Sequence, residues 1–231
     1  MKTIGIIGGL SWESTLYYYK LMNERVSQKL GGLNSIEALI HSLNFARLEE
    51  PLNHDDWETI AEIILESAKK LEVAGASFLL MASNAIHKVV PTLEPQLKIP
   101  LLHIVDPTAA ALKKAGHRNV GLLGTKVTME EPFYKERLHK LYEIEAIVPE
   151  RDEREYLHRI IFDELAHGEL KENSRQKLQS MIVSLKEQGA EAIILGCTEL
   201  TLLIQQEHAV LPLFDTAALH VEAAVKKALQ E

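Results

Sequence analysis

The chain has 231 residues, enough for one α/β domain or two small ones, each with a real core. Apolar residues make up 46% and charged residues 25%, and 25 basic against 33 acidic side chains leave a formal charge of −8. That acidic surplus, with no basic stripe to offset it, argues against nucleic acid as a partner, and the single cysteine excludes an internal disulfide framework or a multi-cysteine zinc site.

In chain order, residues 3–9, Thr-Ile-Gly-Ile-Ile-Gly-Gly, read as a buried parallel strand ending in a glycine turn. This run is too short for the apolar region of a secretory signal, and no later stretch reaches the ~20 apolar residues of a membrane span. The expectation is a soluble, cytoplasmic protein with no membrane partner. Ser11 can cap a helix over residues 12–29, which Gly31-Gly32 would end. A second strand is expected over 36–44 and a loop over 49–56. A helix follows over 57–73, with Ile60, Ile63, Ile64, Ala68 and Leu71 as its apolar residues, and Gly75 stops it. Strand three spans 77–81 and a helix or turn carries 84–90. Pro91, Pro95 and Pro100 punctuate the way to an apolar strand over 101–105.

Asp106-Pro107 opens a helix to Ala115, and the pattern restarts. Residues 119–125, Asn-Val-Gly-Leu-Leu-Gly-Thr, repeat the grammar of residues 3–9. A helix over 131–141, a strand over 144–148, a polar stretch over 149–154 and a helix over 155–166 follow. The next helix, 174–187, packs through Leu178, Met181, Ile182 and Leu185 and ends at Gly189. A short strand over 192–195 turns sharply at Gly196, presents Cys197, and runs into a helical segment. A strand over 210–214 and a helix over 216–229 close the sequence.

Ser83 lies as far after Gly75 as Cys197 does after Gly189, and the Gly8-to-Ser83 and Gly124-to-Cys197 intervals differ by only two residues. Pro100-Leu101-Leu102 before Asp106-Pro107-Thr108 is echoed by Pro212-Leu213-Phe214 before Asp215-Thr216. Three blocks in one order at a near-constant offset indicate a duplicated unit. Each copy alternates strand and helix, so each should be a parallel sheet with helices on both faces. The expected halves are residues 1–100 plus 215–231, and 101–214, with the last helix packing back on the first half.

Ligands of open parallel sheets bind beyond the carboxyl ends of the strands. That edge would carry Gly8-Gly9-Leu10-Ser11, Ser83-Asn84, Gly124-Thr125 and Cys197-Thr198. Each precedes a helix start, where free N–H groups favour carboxylates and lower the pKa of a thiol. Cys197 is therefore a candidate nucleophile or base, and Ser83 its counterpart across one small ligand. The first glycine turn lacks the G-x-G-x-x-G spacing, so no dinucleotide cofactor is expected. Among ten histidines there is no metal-ligand spacing. His41, His103 and His220 read as core or surface residues. His87, one turn after Ser83, is better placed for a role.

Together, Gly8-Gly9 with Ser11-Trp12-Glu13-Ser14-Thr15, Ser83-Asn84-x-x-His87, Gly124-Thr125, Gly196-Cys197-Thr198-Glu199-Leu200 and Phe214-Asp215-Thr216 resemble the aspartate/glutamate racemase family across the whole chain. The resemblance implies two Rossmann-like halves with the active site in the cleft between them, and a dimer. It also implies cofactor-independent, metal-free racemisation of an acidic amino acid. In most members two cysteines flank the substrate's α-carbon; one removes the α-proton and the other protonates the opposite face. Here Ser83 stands at the first position, as in a subgroup described as L-aspartate/glutamate-specific. The resemblance then makes Cys197 the base and Ser83, or a water it holds, the proton donor. Substrate contacts would come from Leu10, Ser11, Asn84, Ala85, Thr125, Thr198 and Glu199, and side-chain carboxylate binding from Arg47 and His167. Two other readings stay open: a single-cysteine malonate-type decarboxylase of the same superfamily, and a non-catalytic binder of acidic amino acids.

Overall fold

The computed structural model describes residues 1–230, which form two compact units. The first is Met1–Ile104 together with the described residues from His220 on, and the second is Val105–Leu219. Among the described residues no helix is long and apolar enough to cross a membrane.

In the first unit, strand β1 (Ile4–Gly8) leads to helix α1 (Trp12–Leu30), β2 (Ala38–Ser42), α2 (Ala46–Asn53), α3 (Trp57–Val73) and β3 (Phe78–Met81). A 3-10 helix over Ala85–Val89 and a single turn, α4 (Val90–Leu93), follow. The strands pair in parallel in the order β2-β1-β3. Every residue of β1 and β3 is buried, as a central strand and its neighbour require when both faces are covered. Ile60, Ile64 and Leu71 of α3 pack with Ile7, Leu79 and Met81 in one cluster, each such side chain contributing about 1.5–3 kcal/mol by leaving water. The chain beyond His220 completes this unit: the Lys2 N–H donates to the Ala228 carbonyl at 2.8 Å.

The second unit runs α5 (Val105–Ala115), β4 (Asn119–Gly124), α6 (Lys126–Glu130), α7 (Pro132–Tyr142), β5 (Glu145–Ile147) and α8 (Arg151–Arg159). Helix α9 (Glu172–Glu187), β6 (Ala192–Gly196), α10 (Leu200–Leu203), β7 (Leu213–Asp215) and α11 (Thr216–Leu229) complete the order. Its sheet is β5-β4-β6-β7, all parallel. Leu178, Met181, Ile182 and Leu185 of α9 are buried against Ile193 and Leu195 of β6.

Several expected elements differ. Residues 101–105 do not form a strand: Leu101 makes one bridge to Leu79, and Val105 already begins α5, whose third residue is Pro107. Proline in a first helical turn costs little because its missing N–H has no partner there anyway. The expected loop at 49–56 is largely α2, which tolerates Pro51 within a short, solvent-facing helix. The expected helix over 131–141 is α7, opened by Pro132, and the short helix α6, capped by Thr125, precedes it unannounced. Helix 155–166 begins at Arg151, because Arg154 bonds the Glu130 carboxylate and the Pro149 carbonyl. It ends early, loosening into a π-helical turn over Ile160–Glu164 and a 3-10 turn over Leu165–His167. The unit boundaries fall after Ile104 and Leu219 rather than after residues 100 and 214. The Leu101 bridge keeps that segment with β3, while β7 pairs with β6 and Asp215 caps the start of α11.

Gly9 has a φ of +73°, and a Cβ there would lie 2.0 Å from the Leu43 carbonyl oxygen. Gly116 has a φ of +84° but open space around it. Gly116→Ala should therefore cost only the left-handed backbone term, about 1–2 kcal/mol, whereas Gly9→Ala should lower the urea midpoint by clearly more. Equal losses would refute the role assigned to close packing at Gly9.

Candidate active site

At the carboxyl edge of the first sheet, Ser11 caps α1 by accepting the Ser14 N–H at 3.1 Å. Thr15 ties the turn together: its hydroxyl donates to the Ser11 carbonyl at 2.9 Å and accepts the Gly9 N–H at 2.8 Å. Its methyl fills the space over Gly8, where a Cβ would come within 2.6 Å. Thr15 is thus the organiser of the turn containing Leu10 and Ser11, a role that its four-residue spacing from the cap could have signalled.

Ser83 follows β3 and is half-buried. Its hydroxyl oxygen lies 3.5 Å from the Ile86 N–H, at the outer limit of a hydrogen bond, so the oxygen is weakly engaged. Asn84 is buried and Ala85 half-buried beside it.

In the second unit, Gly124 of β4 pairs in register with Gly196 of β6. A Cβ on Gly124 would come 2.8 Å from the Gly196 oxygen, and one on Gly196 would come 2.9 Å from the Leu123 oxygen. Thr128, fully buried, packs against both glycines, and its N–H faces the cap residue Thr125 at 3.5 Å. The next amide, Lys126 N–H, donates to His158 Nδ1 at 3.3 Å; burial, then Lys126, holds that imidazole below its usual pKa. The Thr216 hydroxyl donates to the Leu195 carbonyl at 2.9 Å, fixing the end of β6 from the other side.

Cys197 emerges from that clamp 8% exposed. Its thiol donates to Glu199 Oε2 at 2.9 Å, and the Thr198 hydroxyl donates to the same oxygen at 2.7 Å. The thiol pKa stands well above the ordinary range, first because burial penalises the thiolate, then because the Glu199 charge repels it and its hydrogen bond favours the thiol. The Glu199 and Leu200 amides pull the other way and lose. This corrects the expectation that a helix N-terminus lowers the pKa. The helix after Cys197, α10, is four residues long, those after Ser83 and Thr125 are five, and only α1 is long enough to carry a sizeable dipole.

The side chains of Arg47 and His167 are placed elsewhere than at these turns. Arg47 is exposed and pairs with Glu66 at 3.1 Å. Lys70 and Arg47 together hold the Glu66 carboxyl down at about 2. Such an exposed pair is readily exchanged for another carboxylate. His167 is exposed at the end of its 3-10 turn, before Gly168 with a φ of +74°. His41 is half-exposed against the Ser67 hydroxyl at 2.7 Å, while His87, His103 and His220 are buried. Among the described residues, no group of three or more His, Cys, Asp or Glu side chains could hold a metal ion.

Residues 7–224 match the model of the Asp/Glu/hydantoin racemase family. The chain is 24% identical to the broad specificity amino-acid racemase RacX of Bacillus subtilis, over 96% of both proteins. It is 43% identical to a Yersinia pestis protein provisionally described as an Asp/Glu racemase, with a TM-score of 0.94 over 100% of both chains. It is 39% identical to an aspartate racemase homologue from Pyrococcus horikoshii, with a TM-score of 0.86 over 99% of this chain and 100% of that one.

The electrostatics at Cys197 are directly measurable. Thiolate absorbance should appear only above the usual cysteine range. Removing the neighbouring anion favours the thiolate, so Glu199→Gln should move the titration down by about one unit and speed iodoacetamide alkylation at pH 8 roughly tenfold. An unchanged titration would remove Glu199 from the account.

Proposed function

This chain belongs to the Asp/Glu/hydantoin racemase family, and we propose that it racemises an acidic amino acid, L-aspartate or L-glutamate, without a cofactor. The observation that carries the mechanism is the Cys197 thiol donating to the Glu199 carboxylate at 2.9 Å at the end of β6. A buried thiol of raised pKa rests protonated and cannot abstract anything. Glu199 supplies the missing acceptor: it takes the thiol proton as Cys197 takes the α-proton of the L-substrate. Burial makes the sulfur more basic as its proton leaves, which suits the removal of a weakly acidic C–H. The negative charge left on the substrate spreads into its α-carboxylate, where turn hydroxyls and amides such as those of Ser11, Thr125 and Thr198 would stabilise it.

The opposite face is assigned to Ser83. A hydroxyl is a poor base but can deliver a proton to a carbanion, directly or through a water it holds, and its weak engagement with Ile86 leaves it free to do so. The reaction is therefore asymmetric, with L-substrate deprotonated far more readily than D-substrate. Asn84, Ala85 and Leu10 complete the proposed contacts with substrate, and Arg47, released from Glu66, or His167 would bind its side-chain carboxylate. We extend the proposal to a cytoplasmic homodimer serving D-amino acid formation.

A second reading draws on the same thiol. A cysteine that stays protonated is a good proton donor, as a one-cysteine decarboxylase acting on substituted malonates requires, and CO2 release from such compounds would favour it.

The racemase reading is tested in deuterated water. Wild-type protein should place α-deuterium in L-aspartate or L-glutamate and form the D-enantiomer. Cys197→Ala should abolish both, and Glu199→Gln should lower kcat by about 10–100-fold despite its more acidic thiol. Ser83→Cys should gain activity on the D-enantiomer. Binding of both L-amino acids with no deuterium uptake at high enzyme would sink the proposal.

A further inference from the structure

His87 is fully buried in the 3-10 helix after Ser83, and the chemistry above makes no use of it. Both of its ring nitrogens are engaged. Nδ1 lies 2.6 Å from the Ser83 carbonyl oxygen, and Nε2 accepts the Ile104 N–H at 3.2 Å. A carbonyl can only accept and a backbone N–H only donate, so the imidazole is neutral with its proton on Nδ1.

The ring does not act alone. His103 lies 4.7 Å and His220 5.8 Å from it, centroid to centroid. His220 donates through Nε2 to the Leu102 carbonyl at 2.8 Å, and its Nδ1 shares a hydrogen bond with the Tyr18 hydroxyl at 3.0 Å. Two buried imidazoles therefore fasten residues 102–104, the last stretch of the first unit before the chain passes into the second. One of them reaches Ser83. At Ser83 itself the side-chain bond to Ile86 is long, and the helix that follows has five residues.

We infer that His87 is a positioning residue for the proposed racemisation, setting Ser83 at the sheet edge by tying its carbonyl to the Ile104 backbone. The inference rests on the racemase reading. A rigid ring with a donor and an acceptor on separate edges can serve both backbone groups at once, which no smaller polar side chain does. Because His87 fixes Ser83 and not Cys197, its loss should weaken proton delivery on one face while leaving abstraction on the other.

The two ends of the ring can be separated by substitution. In His87→Asn the amide nitrogen stands near Nδ1 and still reaches Ser83, leaving Ile104 unserved. In His87→Gln the amide oxygen reaches the Nε2 position and serves Ile104, leaving Ser83 free. These variants, with His87→Ala, are incubated with L-aspartate and L-glutamate in deuterated water. Deuterium in recovered L-substrate reports the Cys197 face, D-product reports delivery from the Ser83 side, and amide exchange at Ile104 is followed by NMR. His87→Gln and His87→Ala should cut D-product formation roughly 10–100-fold while deuterium uptake into L-substrate changes less than about threefold. His87→Asn should keep most D-product formation. The Ile104 amide should exchange at least about tenfold faster in the Asn and Ala variants than in wild type or the Gln variant. Parallel loss of both activities in all three variants would overturn the inference, as would an Ile104 amide equally protected in the Asn variant. A wild-type protein giving neither deuterium uptake nor D-product would instead overturn the racemase reading and the catalytic half of this one, with the amide readout alone deciding the bridge.

Discussion

Parallel register is the constraint on which the rest depends. In a parallel pair the strands end on the same side, so every turn that follows a strand must leave the sheet at one edge. The alignment is close: Gly8 stands opposite Ser42, Ile7 opposite Met81, and Gly124 opposite Gly196. A side chain at Gly124 or Gly196 would force these ends apart, and a buried threonine takes the space instead. Thr15 does for Gly8 what Thr128 does for Gly124 and Gly196. Glycine and threonine together set how far each strand runs before its chain turns, and so where Ser83 and Cys197 stand within their own units.

Local signals were the ones legible in the sequence. The helix Trp57–Val73 was readable to the residue because Asp56 caps it, accepting the Thr59 N–H, and Gly75 follows it. Ser11 and α1 were readable for the same reason. What failed was whatever depended on residues far along the chain. Residues 101–105 are apolar enough for a strand, but a strand needs a ladder of partners, and Leu79 offers one bridge. Helix α8 starts at Arg151 because Arg154 finds Glu130, a partner that no local pattern announces.

The site shows the same division. Cys197 was legible as the residue of interest because it is the sole cysteine at a glycine turn. Its ionisation was not, because the expectation came from a helix dipole that a four-residue helix does not supply. Glu199 stood in view two residues away, but which oxygen faces the thiol is a matter of side-chain conformation. Arg47 was legible as a cation and not as one already paired, since Glu66 belongs to a different helix. In each case the sequence names the chemical group and the fold decides its electrical surroundings.

Helix α11 begins in one unit and ends in the other, capped by Asp215 beside β6 and then burying His220 against Tyr18. The second unit is therefore one contiguous stretch, while the first is assembled from two segments. During vectorial synthesis the second unit has all its residues available before the first does. Units that fold as the chain emerges would complete in the reverse of their numbering. The Tyr18–His220 contact, spanning 202 residues, is then among the last to form. Until it does, the Ser83 side waits on the C-terminal helix.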